Sequence, residues 1–176
     1  METAEKKSKI RYALWLVMLL IAALLQNVGG LFPEIGGARC FLLIPVCVML
    51  GINEDERTAA FIGLFGGFLW DSVCSRHTGF NCIYLMFICF IASSLVTYIF
   101  RNTFMTGFIA CAGATVLYCL LYWLFFILTS GSDGAGTALL RFYIPCAVYT
   151  VVLTPFIEAL VIAVKSRALG TRQLDA

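Results

Sequence analysis

Apolar residues along this chain fall into six runs separated by short polar stretches. The runs lie at about 12–28, 39–52, 58–74, 80–100, 104–128 and 142–164. A helix needs about 20 residues to cross the hydrocarbon core of a bilayer upright, so the second and third runs are short. They either cross a thinned region or form a compact hairpin against the other helices. The pattern predicts an all-α integral membrane protein, a compact bundle of about six transmembrane helices, and Pro45 predicts a kink in the second run.

The composition excludes a soluble protein. Hydrophobic residues make up 61% of the chain, charged residues 12%, and the mean hydropathy is +0.95. Too little polar surface remains to coat a soluble particle, and 176 residues in apolar runs leave no room for a soluble catalytic domain of ordinary size. We therefore expect a single polytopic membrane domain over residues 1–176, with short cytoplasmic tails at about 1–11 and 166–176.

The basic residues predict the orientation of the bundle, because loops rich in Lys and Arg tend to stay in the cytoplasm. With six crossings and a cytoplasmic amino terminus, nine basic residues lie inside and three outside. The inner set is Lys6, Lys7, Lys9, Arg11, Arg57, Arg101, Lys165, Arg167 and Arg172, and the outer set is Arg39, Arg76 and Arg141. Both termini are then cytoplasmic. A five-span alternative, with the second run re-entrant, places the carboxyl tail outside and stays open.

Small residues on the third run predict a close contact between helices. Gly63 and Gly67 have the spacing that lets a second backbone approach, and Gly66 lies beside them. Asp71 ends this run, and a carboxylate is costly near hydrocarbon unless it meets water, a partner or a packed polar interior. We expect Asp71 to act through hydrogen bonds at the end of its helix.

The fifth run has a second stripe of small residues. Thr103, Gly107, Ala110 and Ala114 share one face of a helix and predict a packing seam. The opposite interpretation is a substrate groove, which would need polar groups converging on that side. Thr106, Cys111 and Thr115 are the neighbouring candidates.

Glu158 is the second carboxylate within an apolar run. It follows Pro155, which frees a backbone carbonyl, and precedes Lys165 by seven residues. Upright helices would separate it from Asp71 by about 10 Å along the membrane normal, too far for a coupled pair that relays protons. For each carboxylate, a hydrogen-bonded group near an interface and a specific partner contact both remain open.

Catalytic and cofactor-binding motifs are missing from the sequence. It has no nucleophile elbow, no phosphate-binding glycine loop and no metal-binding helix motif. The eight cysteines lie almost all in apolar runs and are interpreted as packing residues, and the single histidine, His77, as an exposed loop residue. The net charge of +2 comes from residues flanking helices, so we expect neither a cofactor nor nucleic-acid binding.

One segment resembles a known family. The sequence GLFGGFLWD at 63–71, followed eight residues later by Gly79 and a long apolar helix, is similar to the third segment of the rod shape-determining protein MreD family. Gly66, Gly67, Asp71 and Gly79 match the family pattern. The chain departs from it at Phe68 and Trp70, where leucines are usual, and at 77–78, where a proline-leucine pair is often seen.

The resemblance implies a role in cell elongation without catalysis. It implies a membrane scaffold in the bacterial cytoplasmic membrane that contacts MreC directly and, in the wider complex, MreB, RodA and a penicillin-binding transpeptidase. The residues expected to serve helix packing or partner contact are Gly63, Gly66, Gly67, Asp71, Gly79, Gly107, Ala110 and Glu158.

A transporter subunit is the alternative. Substrate-binding membrane subunits of energy-coupling-factor vitamin transporters also have six short spans in a chain of similar size, and the predicted bundle is similar to theirs. Ala13, Ala22 and Ala23 in the first run do not make the alanine spacing that such subunits often use for coupling. A small-molecule or lipid transporter working as a dimer is a third, weaker option.

Overall fold

The protein is a bundle of helices. The computed structural model describes residues 2–28, 39–73, 79–100, 103–129 and 135–169. The helices are α1 (Glu2–Asn27), α2 (Leu43–Gly51), α3 (Glu56–Asp71), α4 (Phe80–Tyr98), α5 (Phe104–Tyr122), α6 (Ala135–Ala138) and α7 (Ile144–Leu169). π-helical turns continue α5 over Trp123–Leu128 and join α6 to α7 over Leu139–Tyr143. All six apolar runs therefore contain helix, and the predicted all-α membrane bundle is confirmed.

Four stretches of the described residues are long and apolar enough to cross a membrane. They are Ile10–Asn27, Phe80–Tyr98, Phe104–Leu128 and Gly136–Arg167. The other two helices are shorter, as the run lengths predicted: nine residues in α2 and 16 in α3 correspond to about 13 Å and about 24 Å. The last crossing stretch begins several residues before the predicted boundary at 142, because α6 and the π turn continue it toward the amino terminus.

The short helix α2 lies at the centre of the bundle. All nine of its residues are buried, and it contacts α1, α3, α4, α5 and α7. Such a helix has no face to offer to lipid, which explains why its sequence is apolar all round. The second run therefore packs inside the protein.

The predicted kink at Pro45 is wrong. Helix α2 begins at Leu43, so Pro45 lies in its first turn and not in the middle of a longer helix. The missing proline N–H removes no intrahelical hydrogen bond at this position. The chain before Leu43 is not helical, and residues 39–42 enter the bundle as irregular backbone.

The two ends of the bundle differ in chemistry. At one end, which we call the basic end, Arg11 of α1 pairs with Glu54 at 3.6 Å, and Lys165 of α7 reaches the last turn of α2. Glu54 belongs to the four-residue turn between α2 and α3, and its carbonyl accepts a hydrogen bond from Ser93 of α4 at 2.7 Å. The opposite end, which we call the Asp71 end, contains Gln26 and Asp71. The start of α1 and the end of α7 thus share one end of the bundle.

Candidate functional site

The glycines of α3 form the contact with α4. A Cβ atom added to Gly63 would overlap the Leu85 carbonyl group, with its carbon at 2.6 Å, and one added to Gly67 would lie 2.6 Å from the Cys82 nitrogen. Both obstacles are backbone atoms of α4, so the two backbones touch at these positions. Only glycine allows two helix backbones to approach this closely, as the spacing of Gly63 and Gly67 in the sequence predicted.

Two further glycines make contacts elsewhere in the bundle. Gly66 faces the thiol of Cys47 on α2, and Gly107 of α5 faces the carboxyl of Glu158 and the sulfur of Met49. Ala110, the other residue singled out on α5, is half-buried and packs against the core. The stripes on α3 and α5 are therefore occupied by neighbouring helices of the same chain.

The buried face of α5 is rotated from the predicted seam. Gly107 and Ala114 lie on it as expected, but Thr103 caps the helix by accepting a hydrogen bond from the Thr106 amide at 3.4 Å. Cys111 and Thr115, offered as evidence for a substrate groove, are fully buried. The Cys111 thiol donates to the Pro45 carbonyl at 3.8 Å, and the Thr115 hydroxyl bonds within its own helix, so both are used internally.

Asp71 joins the end of α3 to the start of α4. Its Oδ2 accepts hydrogen bonds from the backbone amides of Gly79 and Cys82, both at 3.0 Å, and its Oδ1 accepts from the Asn81 side-chain amide at 2.8 Å. The side chain is 5% exposed. A negative group is stabilised at a helix amino terminus, where unpaired N–H groups point outward. Asp71 supplies this group to α4 from another helix.

Gly79 has the backbone conformation that this arrangement needs. Its φ is 98°, in the left-handed region that side chains disfavour, and it is the residue immediately before α4. The conformation turns its amide toward Asp71. The pairing of Asp71 with Gly79 in the sequence thus corresponds to a direct hydrogen bond.

A buried polar chain continues from Asp71 into the core. The Tyr118 hydroxyl of α5 donates to Asn81 Oδ1 at 2.9 Å, and Asn81 in turn donates to Asp71. The Tyr118 ring stacks on Trp70 with centroids 5.1 Å apart, and Phe41 packs edge-on against it at 5.3 Å. Aromatic packing excludes water here, which strengthens the hydrogen bonds of the chain.

One face of α7 supplies hydrogen-bond partners to residues 39–51. The Cys146 sulfur accepts from the Arg39 amide at 3.3 Å, and the Thr150 hydroxyl oxygen accepts from the Phe41 amide at 3.0 Å. From α1, the Gln26 side-chain carbonyl accepts from the Leu43 amide at 2.9 Å. Non-helical backbone at membrane depth has no water to pair with, so side chains must do it. These three acceptors allow residues 39–42 to be irregular.

The same face of α7 also holds the other end of α2. The Lys165 ammonium donates to the carbonyls of Met49 at 3.0 Å and Leu50 at 3.2 Å. A cation is favourable at a helix carboxyl terminus, where carbonyls lack intrahelical donors. Burial raises the pKa of the nearby Glu54 carboxyl above its ordinary value, although Arg11 and Lys165 oppose the shift. Helix α7 thus holds both the chain that leads into α2 and the last turn of α2.

Glu158 lies between these two groups of contacts. It is 1% exposed and faces Gly107, and its Oε2 has no hydrogen-bond partner among the described residues. On α5, Tyr118 lies at the depth of Asp71, and Gly107 lies at the depth of Glu158. These two positions are 11 residues apart, which corresponds to about 16 Å along the helix axis. The two carboxylates do not form a site together, and their separation exceeds the 10 Å expected from the sequence.

Sequence reasoning singled out Glu158 and Lys165 but missed the rest of the polar face of α7. Its members are Cys146, Thr150, Thr154, Glu158 and Lys165, the first four of them spaced by four residues, close to one helical turn. All of them except Lys165 are at most 1% exposed. The four-residue spacing can be seen in the sequence, but it does not by itself indicate a buried face. Isolated Thr and Cys residues also occur on lipid-facing helices, where their hydroxyls and thiols bond to their own backbone. His77 lies outside the described residues.

Thr150→Val should destabilise the protein more than Thr154→Val. Both hydroxyls donate to a carbonyl of their own helix, but only that of Thr150 also accepts the Phe41 amide. Loss of that acceptor leaves a buried N–H unpaired, at a cost of about 1–3 kcal/mol. Thermal unfolding of the two variants in detergent measures the difference. Equal midpoints would contradict the role given to Thr150.

Comparison with known proteins decides the family. The family model of the rod shape-determining protein MreD matches residues 6–164. The chain belongs to the MreD family. Searches of the curated proteins and of the solved structures gave no match. The match confirms the resemblance read from residues 63–79, and it covers every helix that contributes to the contacts described above except the ends of α1 and α7.

Membership of the MreD family gives the protein its general role. It is a membrane protein that takes part in determining rod shape. The family comparison lends no support to the vitamin-transporter alternative. The MreD segment at 63–79 corresponds in the structure to the joint between α3 and α4, with two glycines at the backbone contact and Asp71 at the start of α4.

Proposed function

We propose that this protein is a non-enzymatic scaffold of the cell-elongation complex, acting as one membrane domain in the bacterial cytoplasmic membrane. By binding MreC it would help to couple peptidoglycan synthesis to the MreB cytoskeleton, with RodA and a penicillin-binding transpeptidase in the wider complex. The observation that carries the proposal is the MreD family match over residues 6–164. The internal use of the polar side chains supports it, because Asp71, Thr150 and Lys165 all hold helices together.

The proposed orientation places both termini in the cytoplasm. It is supported by the nine-to-three distribution of basic residues and by the location of Arg11 and Lys165 at the same end of the bundle. A reporter enzyme that is active only in the periplasm, fused after Ala176, is expected to be inactive. Activity of that fusion would contradict the orientation.

The contact with MreC is expected on the surface that faces the bilayer, since the glycine stripes are occupied internally. Two apolar grooves lie there: one of about 260 Å³ between α4 and α5, and one of about 300 Å³ between α5 and α7. The two grooves lie on either side of α5: Leu117 lines the first groove, and the adjacent residue Val116 lines the second. Both grooves are apolar, as a surface that meets a transmembrane helix of another protein should be.

A pair of substitutions tests this surface. Leu117→Trp and Val116→Trp each fill one groove without touching the buried face of α5. If MreC binds in a groove, one variant should lose most of its co-purification with MreC while both keep the wild-type thermal midpoint. Undiminished co-purification of both variants would exclude the grooves as the contact.

The cellular role is tested by depletion. Cells depleted of this protein should become round, and a plasmid copy of the wild-type chain should restore the rod shape. A copy that carries Gly113→Ala should restore the rod shape equally well, since a Cβ at Gly113 would meet no atom within 4 Å. Rod shape maintained after full depletion would contradict the proposed function.

A further inference from the structure

Glu158 has a carboxyl oxygen, Oε2, for which the described residues supply no donor. It is 1% exposed, it lies within the longest membrane-crossing stretch, and its Oε2 is buried without a hydrogen-bond partner among the described residues. The rest of the polar face of α7 is bonded: Thr154 donates to Thr150, and Lys165 donates to α2. Glu158 is therefore distinct from its neighbours on the same helix.

The described neighbours of Glu158 offer little to stabilise a negative charge. Its carboxyl group lies against Gly107, which has no side chain, and the sulfur of Met49 lies against the same glycine. The Cys111 thiol, which also faces Glu158 from α5, already donates to the Pro45 carbonyl. An ionised carboxylate taken out of water without hydrogen bonds costs far more than its neutral form.

Two described cations near this end of α7, Lys165 and Arg11, already have other partners. Lys165 is two turns along α7, about 10 Å in axial distance, and its ammonium bonds to the Met49 and Leu50 carbonyls. Arg11 lies beyond it at the basic end and pairs with Glu54. No ion pair involving Glu158 is formed among the described residues.

We propose that Glu158 is a neutral carboxylic acid in the folded protein, so that the bundle contains a proton-binding site at the contact of α7 with α5 and α2. The bound ligand is a proton on the Glu158 carboxyl. The close approach to Gly107 depends on this proton, because a charged carboxylate would draw water or Lys165 into the contact and separate the helices. Asp71 differs, since its carboxylate accepts hydrogen bonds from three donors. The inference is independent of the partners proposed above.

Infrared spectroscopy tests the protonation state directly. A protonated carboxyl has a C=O stretching band well separated from that of carboxylates. Wild-type protein in lipid at neutral pH should show this band, Glu158→Gln should lack it, and Asp71→Asn should retain it. Glu54→Gln is the second control, because Glu54 is a partly buried glutamate that pairs with Arg11 away from Glu158, and it should retain the band.

Isotope labelling keeps the test independent of how well the variants fold. In wild-type protein grown with carboxyl-labelled glutamate, the band should shift, because it belongs to a glutamate. Glu158→Gln is expected to keep the wild-type thermal midpoint, since an uncharged amide replaces an uncharged acid of the same size. The proposal is overturned if wild-type protein has no protonated-carboxyl band at neutral pH, or if the band survives in Glu158→Gln.

Discussion

Gly67→Ala and Gly63→Ala should each sharply reduce the yield of folded protein in detergent. The added methyl group would overlap backbone atoms of α4 at Cys82 and Leu85, respectively. A flexible side chain could move aside, but a helix backbone can do so only by shifting the whole contact. Overpacking costs about 1–3 kcal/mol in ordinary cores, and we expect values at or above the top of that range here.

Gly113→Ala is the matched control for these variants. It makes the same chemical change in a helix, on an exposed position of α5 where the new atom meets nothing within 4 Å. Its folded yield should equal or slightly exceed that of wild type, because alanine is the better helix former. Equal yields for Gly67→Ala, Gly63→Ala and Gly113→Ala would remove the argument that α3 and α4 meet through their backbones.

Asp71→Leu should be the most damaging single substitution outside the glycines. It leaves the amides of Gly79 and Cys82 and the side chain of Asn81 without an acceptor. An unpaired buried donor costs about 1–3 kcal/mol, and Asn81 is buried while the two amides are part-buried, so the free energy of unfolding should fall by about 3 kcal/mol. Thermal unfolding and rod-shape complementation should both record the loss.

Asp71→Asn should be tolerated better, for a reason that can itself be tested. The amide oxygen can accept from Gly79 and Cys82, and Asn81 can turn over to accept from the new NH₂ group. The Tyr118 hydroxyl can then accept instead of donating, because a phenol does either. Tyr118→Phe removes this possibility.

The double variant separates the two explanations of Asp71. Asp71→Asn combined with Tyr118→Phe should lose more stability than the sum of the single effects, because the polar chain can no longer reverse. Additive losses would mean that the chain does not act as a unit. If Asp71→Asn alone abolished rod-shape complementation at normal abundance, a required negative charge would replace hydrogen bonding as the role of Asp71.

The sequence predicted those features that depend on local spacing. The six helical segments, the short second and third segments and the close glycine contacts follow from runs and intervals along one segment. Asp71 at the end of an apolar helix also indicated a hydrogen-bonded carboxylate. What the sequence could not supply was its partners, since Asn81 and Tyr118 are brought to it by the packing of α4 and α5.

The errors and omissions concern tertiary pairing. The second apolar run begins at about residue 39, but α2 begins at Leu43, because the side chains of Gln26, Cys146 and Thr150 supply acceptors to the chain before and at its start. Local propensity does not reveal an acceptor more than 100 residues away. The burial of Glu158 was likewise invisible, because it depends on Gly107 of α5.

The central claim is that this protein works by assembling partners, and one measurement tests it most directly. Purified protein in lipid nanodiscs is mixed with purified MreC and tested for co-elution. The thermal midpoint of the same preparation is then measured with and without vitamins, because a ligand that binds the folded state raises that midpoint. We expect the protein to co-elute with MreC and its midpoint to be unchanged by every vitamin. Absence of co-elution with MreC, together with a midpoint that rises in the presence of a vitamin, would contradict the scaffold function.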